Sequence, residues 1–160
     1  MPARFPMPAP ERVRSTLADL FGRSVEIAKV SPPDPEDAAY VADLLADTGS
    51  TGALIVSDPA GVAVLAAALT MMPPAMVESV RTRGTIDEPS IPENFGEVVN
   101  VLAQLFNSPD TPHLRWNSVN RADGELEAPV AKLLAEPAAR RDFAITVEGY
   151  GNGKLSILVA

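Results

Sequence analysis

Glu97 and Asn100 lie three residues apart in the segment GEVVN, residues 96–100, and their types and spacing suit chemistry. On a helix such residues are neighbours on one face, so the two side chains would project together. A carboxamide accepts a hydrogen bond from water and donates one to another oxygen, which orients a nucleophilic water as a glutamine does in phosphoryl transfer. A carboxylate nearby can pair with a lysine of a partner. No metal ligands or strong base accompany the pair, so a second protein would have to supply the rest of the site.

The segment SIPENFGEVVNVLAQLFNS, residues 90–108, predicts the helix that would carry this pair. At about 100° per residue, its carboxylates and amides fall within a stripe roughly 80° wide, and its large apolar residues fill the opposite side. The polar stripe consists of Glu93, Glu97, Asn100, Gln104 and Asn107. One face therefore packs, and the other shows carboxylates and amides. We take Glu93 and Gln104 as candidates for contacts with a partner.

The polar stripe also has a structural interpretation, because a solvent-exposed helix face is polar by default. Ser90-Ile-Pro-Glu93 fits a capping box, in which the Glu93 carboxylate bonds back to the helix start. This pattern favours Glu93 as a cap. Asn100 is harder to explain in this way, since asparagine is a poor helix former and an ordinary solvent face would carry Glu or Lys there. Glu97 and Asn100 are thus the candidate catalytic residues.

Other motifs in the chain favour structure over chemistry. The segment GYGNGK, residues 149–154, lacks the spacing, the Ser or Thr and the following helix of a phosphate-binding loop, and predicts a hairpin turned at residues 151–153. His113 is the only histidine and there is no cysteine, which excludes a histidine-pair or thiolate metal site. No metal site of the chain's own is expected. Trp116 is interpreted as a core residue.

Composition limits the class of protein. The chain has 160 residues, 46% of them hydrophobic, and a formal net charge of −8. This predicts one domain over residues 11–160, preceded by an irregular, proline-rich tail over residues 1–10. The basic residues are scattered along an acidic chain, so nucleic acid is not an expected partner. The chain has no apolar run long enough for a membrane helix and no signal-peptide pattern, which predicts a cytoplasmic protein without membrane insertion.

Helix and strand patterns are mixed along the chain without the strict alternation of a parallel sheet. Helices are predicted from Pro10 to Gly22, after Asp58 as N-cap with Pro59 in the first turn, over residues 75–84 and over residues 90–108. Strands are predicted over residues 24–30, 52–57, 113–119, 143–149 and 154–160, the last two forming a closing hairpin. Residues 38–47 fit a helix or a hairpin strand, and residues 120–141 form a helical excursion of unassigned position. The pattern predicts an α+β domain with a mostly antiparallel sheet against two or three long helices.

Together with these elements, GEVVN resembles the CheC/CheX/FliY family of response-regulator phosphatases of bacterial chemotaxis. The family signature has an acidic or hydroxyl residue, then Glu four positions later and Asn three positions after that, and Glu93, Glu97 and Asn100 stand at those spacings. The likeness extends to an N-terminal helix ending in LFG, to GALIVSDPAGVAVLAAAL as a strand and a Pro-initiated helix, and to the closing hairpin. A single copy of the motif is closer to CheX than to CheC. The resemblance therefore implies a CheC/CheX-like fold, with a strand over residues 38–47.

The resemblance also implies an activity, the hydrolysis of the aspartyl phosphate of a CheY-like receiver domain. Asn100 would orient the water and Glu97 would engage a lysine of the partner, while Mg²⁺ would belong to the receiver and the chain would need no cofactor of its own. CheX-type proteins form dimers through their sheets, and here the last strand runs to Ala160 and is expected to leave a sheet edge that could pair, so the resemblance implies a possible homodimer. The alternative is a non-catalytic CheC/CheX-like module that binds a receiver domain or a motor-switch protein. Whether the chain is an enzyme stays open, because fold does not imply function.

Overall fold

The chain folds around one antiparallel sheet with helices on both faces. A computed structural model describes residues 5–160, which form five α-helices and six β-strands. The helices are α1 (Pro10–Phe21), α2 (Pro59–Thr70), α3 (Pro74–Arg83), α4 (Ser90–Ala103) and α5 (Ala128–Ala135). The strands are β1 (Val25–Lys29), β2 (Tyr40–Ala46), β3 (Thr51–Ser57), β4 (Leu114–Arg121), β5 (Ala139–Val147) and β6 (Gly151–Val159). The predicted irregular tail, residues 1–10, lies partly outside the described residues.

The sheet has the strand order β1-β5-β6-β3-β2-β4, and every neighbouring pair is antiparallel. The last strand, β6, lies between β5 and β3, so the prediction of a free edge running to Ala160 is wrong. The second half of β6, residues 155–159, pairs with Ala53 to Ser57 of β3, which places β6 in the middle of the sheet. The edge strands of the described residues are β1 and β4. The homodimer was predicted from a free edge at β6, so this reason for expecting it no longer holds.

The closing hairpin was predicted to turn at residues 151–153. In the structure it turns at residues 148–150. Gly149 supplies the left-handed backbone of the turn, with a φ of 87°. Residues 151–153 are instead the first residues of β6. In this part of β6, Gly153 lies directly against the start of α2. A Cβ atom on Gly153 would stand 2.3 Å from the Cα atom of Gly61. The glycines therefore serve a close approach of two backbones as well as the turn.

The helical layer on one face of the sheet consists of α1, α2, α3 and α4, with α2 in contact with the other three. Every residue of α2 from Gly61 to Ala68 is buried, and a helix that is apolar all round is expected to be covered on all sides. α4 packs against α2 with its apolar side, including Phe95, Val98 and Val99. This burial fixes the rotation of α4 about its axis and thereby directs its polar stripe outward. The predicted α+β class, with a sheet against long helices, is confirmed.

The opposite face of the sheet is covered by α5, which lies within the excursion that the sequence left unplaced. Val130 and Leu133 of α5 pack against Leu54 of β3 and Leu158 of β6 in a second, smaller apolar cluster. The excursion thus closes the side of the sheet away from the other helices.

The ambiguous residues 38–47 contain β2, as the family resemblance implied. β2 is an inner strand, and Val41, Ala42, Asp43 and Leu44 are all buried. A strand covered on both faces loses the apolar and polar alternation that identifies strands, which explains why the residue pattern alone did not separate strand from helix.

Candidate functional site

Three residues of the predicted polar stripe lie on the outward face of α4, and a fourth, Gln104, begins the short 3-10 helix Gln104–Phe106 that follows it. Glu93, Glu97, Asn100 and Gln104 are exposed. Within residues 5–160, the side chains of Glu97 and Asn100 take part in no hydrogen bond and in none of the five ion pairs. Their polar groups are therefore free to meet another molecule, on a helix whose opposite side is held by the core.

Asn107, the fifth residue of the stripe, has a structural role. Its side-chain oxygen accepts a hydrogen bond from the Leu114 N–H at 2.8 Å, and its Nδ2 donates to the Leu114 carbonyl at 3.4 Å. Nδ2 also lies 3.3 Å from Nε2 of His113, which is itself exposed. These contacts tie the segment after α4 to the first residue of β4, so Asn107 does not belong to the candidate site.

The predicted capping box at the start of α4 does not form. The helix begins at Ser90 with no side-chain cap, and Ser90 Oγ donates to Glu88 Oε1 at 3.4 Å instead. The residue in the cap position is Pro89, whose φ of −60° and ψ of −27° are helical, whereas a capping residue takes an extended backbone. Glu93 therefore has no bond back to the helix start. The structural explanation for Glu93 is wrong, and its carboxylate is free.

A cleft of about 680 Å³ opens beside α4, between its first turns and strand β4. Glu93 and Glu97 line it on the helix side, and Tyr40 and Trp116 line it on the sheet side. Gly96 makes this arrangement possible, because a Cβ atom there would stand 2.5 Å from Cζ2 of Trp116. The glycine that precedes Glu97 thus has a packing reason, and Trp116, predicted as core, borders both the core and the cleft.

A β-bulge in β4 positions the side chains that line the cleft on its sheet side. The register between β2 and β4 shifts beside Asp43, which leaves Asn117 as the extra residue. Asp43 is only 3% exposed, and its carboxylate accepts hydrogen bonds from Asn117 Nδ2, at 2.9 Å, and from Ser118 Oγ. The bulge lets Trp116 and Val119, three residues apart, both line the cleft. The sequence analysis missed the bulge, although a buried-looking Asp in an apolar strand was a signal of a polar partner.

The charge of the cleft is negative. Arg121 is the basic residue of its lining, and its Nε and Nη2 donate to the carboxylate of Asp123 at 3.1 and 3.2 Å. These hydrogen bonds raise the pKa of the Arg121 guanidinium above its ordinary value. Glu93 and Glu97 have no ion-pair partner among the described residues. The carboxylates of α4 are therefore the uncompensated charges that the cleft presents.

Across residues 5–160, no group of three or more His, Asp or Glu side chains converges as metal ligands do. None of the helices in that range combines the length and the apolar character that crossing a membrane requires.

The chain is similar to known proteins in structure rather than in sequence. No protein-family model matches it, and no curated protein sequence is significantly similar. FliY of Thermotoga maritima superimposes with a TM-score of 0.60 at 16% identity, over 92% of this chain and 82% of that chain. FliM in the FliM–SpeE complex from H. pylori gives a TM-score of 0.58 at 8% identity, over 93% and 80% of the two chains. FliM in the FliG–FliM complex from H. pylori gives 0.52 at 10% identity, over 93% and 85%. The resemblance to the CheC/CheX/FliY family is thus confirmed at the level of the fold.

Proposed function

We propose that this chain, which has the fold of the CheC/CheX/FliY family, hydrolyses the aspartyl phosphate of a CheY-like receiver domain. The observation that supports the proposal is the state of Glu97 and Asn100, which are exposed and without partners on one face of α4. The buried side of the helix fixes the position of the backbone that carries them. Rigid presentation matters because a misplacement of about 1 Å at a reacting centre can lower a rate by about a hundredfold.

In the proposed reaction, a water oxygen attacks the phosphorus and the bond from phosphorus to the aspartyl oxygen breaks. The side-chain oxygen of Asn100 would accept a hydrogen bond from that water and its Nδ2 would donate to a neighbouring oxygen, which keeps the water in line. Glu97 would pair with a lysine of the receiver and fix the approach of α4. Mg²⁺ held by the receiver would neutralise charge on the phosphoryl oxygens. α4 thus contributes position rather than acid or base.

A second function, binding without turnover, is favoured by the similarity to FliM. Two of the FliM structures that match come from complexes, one with SpeE and one with FliG, which supports a docking role for domains of this fold. In that case α4 or another surface of this chain would hold a receiver domain or a motor-switch protein without chemistry. Phosphate release separates the two functions, because both predict binding but only the first predicts turnover.

The test compares phosphate loss from phosphorylated CheY-like receiver domains with and without this protein, and with its Asn100→Ala variant. We expect the wild type to accelerate the loss and Asn100→Ala to lower that acceleration by about a hundredfold, as for the loss of one positioned hydrogen-bonding group. Asn94→Ala is the matched control, because Asn94 lies on the same helix outside the polar stripe. An Asn100→Ala protein as fast as wild type would overturn the mechanism, and receiver binding without any acceleration would favour the docking module.

A further inference from the structure

We infer that the cleft between α4 and β4 receives a lysine or arginine side chain of the partner, with Glu93 as its counter-ion and Trp116 as the ring beside it. This would be a second cation contact, separate from the Glu97 contact of the proposed reaction. The inference rests on the proposed function only for the choice of a receiver domain as partner. It assigns to Glu93 and Trp116 a role in affinity, whereas Asn100 has a role in turnover.

The charges of the cleft determine the sign of the group it would take. Glu93 lacks the capping bond that would occupy its carboxylate, and it lines the cleft one turn before Glu97. Arg121, the basic residue of the lining, is already bonded to Asp123 through two nitrogens. A cation entering the cleft therefore meets the unpaired carboxylate of Glu93, and the carboxylate of Glu97, one turn further on, adds to the negative potential. An anion would be repelled by the same carboxylates, and the guanidinium of Arg121 is already paired with Asp123.

The aromatic side of the cleft determines the kind of cation. Trp116 is half-buried, with the edge of its indole held against Gly96, and Tyr40 lines the same cleft. Ammonium and guanidinium groups are attracted to the faces of such rings, most strongly to tryptophan. A small hydrated ion gains little from them, whereas the aliphatic stem of a lysine or arginine also covers apolar surface. The combination of rings and carboxylates thus favours a side chain over a free ion.

Trp116 has a further property that a purely structural residue would not need. Its indole N–H is buried without a hydrogen-bond partner among the described residues. Burial of an unpaired donor is unfavourable, and phenylalanine would fill an apolar site without that cost. Compared with phenylalanine, the indole brings a larger ring face to this position, and the ring face is the part of the side chain that attracts a cation.

The cleft is also formed before any partner arrives. The bulge in β4 directs Trp116 and Val119 to the same side, and the buried carboxylate of Asp43 holds the bulge through Asn117 and Ser118. Bulges of this kind re-aim side chains next to functional sites. A preformed site loses little side-chain entropy on binding, which strengthens a contact that would otherwise be a weak surface ion pair.

Trp116 is the only tryptophan of the chain, so its fluorescence reports directly on the cleft. The experiment titrates a tryptophan-free CheY-like receiver domain into this protein and follows the Trp116 emission. We expect a saturable change, with a dissociation constant raised about fivefold to tenfold in Glu93→Gln, as for the loss of a charge-assisted contact near the centre of an interface. Glu26→Gln, on the exposed face of the far edge strand β1, is the control with the same change of net charge. It should bind like the wild type.

Turnover separates this inference from the proposed function. In the phosphate-loss assay, Glu93→Gln should raise the receiver concentration needed for half-maximal acceleration about fivefold to tenfold, whereas Asn100→Ala should lower the acceleration at every receiver concentration. If Glu93→Gln binds as tightly as Glu26→Gln, the inference is overturned and the phosphatase proposal stands. If no receiver domain binds or loses phosphate, the proposed function fails. The inference is then tested by titrating a tri-arginine amide into the protein and following the Trp116 emission. A Trp116 response to that peptide that is weakened by Glu93→Gln supports the inference, and the absence of a response overturns it.

Discussion

Two sets of polar groups, one at the start of α2 and one on α4, lie in the same helical layer but differ in their hydrogen-bond partners. At the start of α2, the Asp58 carboxylate accepts hydrogen bonds from the N–H of Gly61 at 2.7 Å and from the N–H of Lys154 at 3.0 Å. On α4, the side chains of Glu97 and Asn100 have no such partners in the described residues. We call the first group, with its neighbours Ser57, Gly61 and Gly153, the Asp58 corner.

The difference separates polar groups whose hydrogen bonds are made inside the fold from polar groups that meet only solvent. A buried or half-buried polar group that finds its partners inside the chain stabilises the native state, and its removal leaves other groups unpaired. A polar group that meets only solvent contributes little to stability, so its type is free to serve binding or catalysis. Substitutions in the Asp58 corner should therefore change unfolding, and substitutions on the α4 stripe should change activity.

The largest effect is expected at Gly153, in the Asp58 corner. A methyl group there would stand 2.3 Å from Cα and 2.4 Å from N of Gly61, and both are backbone atoms that cannot rotate away. We expect Gly153→Ala to lower the free energy of unfolding by about 3 kcal/mol, measured by urea denaturation. Gly124→Ala is the control, since the atom nearest to its Cβ would be the Arg121 carbonyl oxygen at 3.4 Å, an ordinary contact distance. Equal stability of the two variants would show that β6 does not need the close approach.

A smaller loss is expected for Asp58→Ala. The variant removes the N-cap of α2 and leaves the Lys154 N–H without its acceptor, so the free energy of unfolding should fall by about 2 kcal/mol. Asp58→Asn keeps a side-chain oxygen in place and should recover most of that loss in the same urea titration. If Asp58→Asn is as unstable as Asp58→Ala, the charge of the carboxylate matters more than its hydrogen bonds. In neither variant should receiver dephosphorylation change at a temperature where the protein is folded.

Local signals in the sequence predicted most of the elements, with a failure at one helix start. Asp58 with Pro59 predicted the start of α2 correctly, because the cap bonds to a residue three positions on. The same reasoning failed at Ser90, because Pro89 keeps a helical backbone in the cap position. The polar stripe of α4 was predicted correctly in four of its five members, because a helix face depends only on the spacing of its residues.

The cleft could not be predicted, because its two sides come from separate parts of the chain. Trp116 reaches α4 only through the pairing of β4 with β2 and the bulge beside Asp43, and no local pattern encodes a register shift between two strands. Tyr40 belongs to the segment that fitted helix and strand equally well. The position of α5 was equally inaccessible, because its contacts are with β3 and β6 across the sheet. The sequence was thus sufficient for the helix that carries the candidate site and insufficient for the surface beside it.

The smallest expected effect has the opposite sign and tests the comparison most directly. Asn100 is exposed in the middle of α4, where alanine is the better helix former by about 0.5 kcal/mol, so Asn100→Ala should raise the free energy of unfolding by about that amount. Asn107→Ala is the matched control, the same substitution in the same stripe. Because Asn107 bonds the backbone of Leu114, its loss should lower the free energy of unfolding by about 1 kcal/mol. If urea titrations show Asn100→Ala to be destabilised like Asn107→Ala, then Asn100 holds the fold as Asp58 does, and the asparagine needs no partner to explain it. A more stable protein that no longer accelerates phosphate loss would instead mean that the chain keeps Asn100 at the expense of stability, for the sake of another molecule.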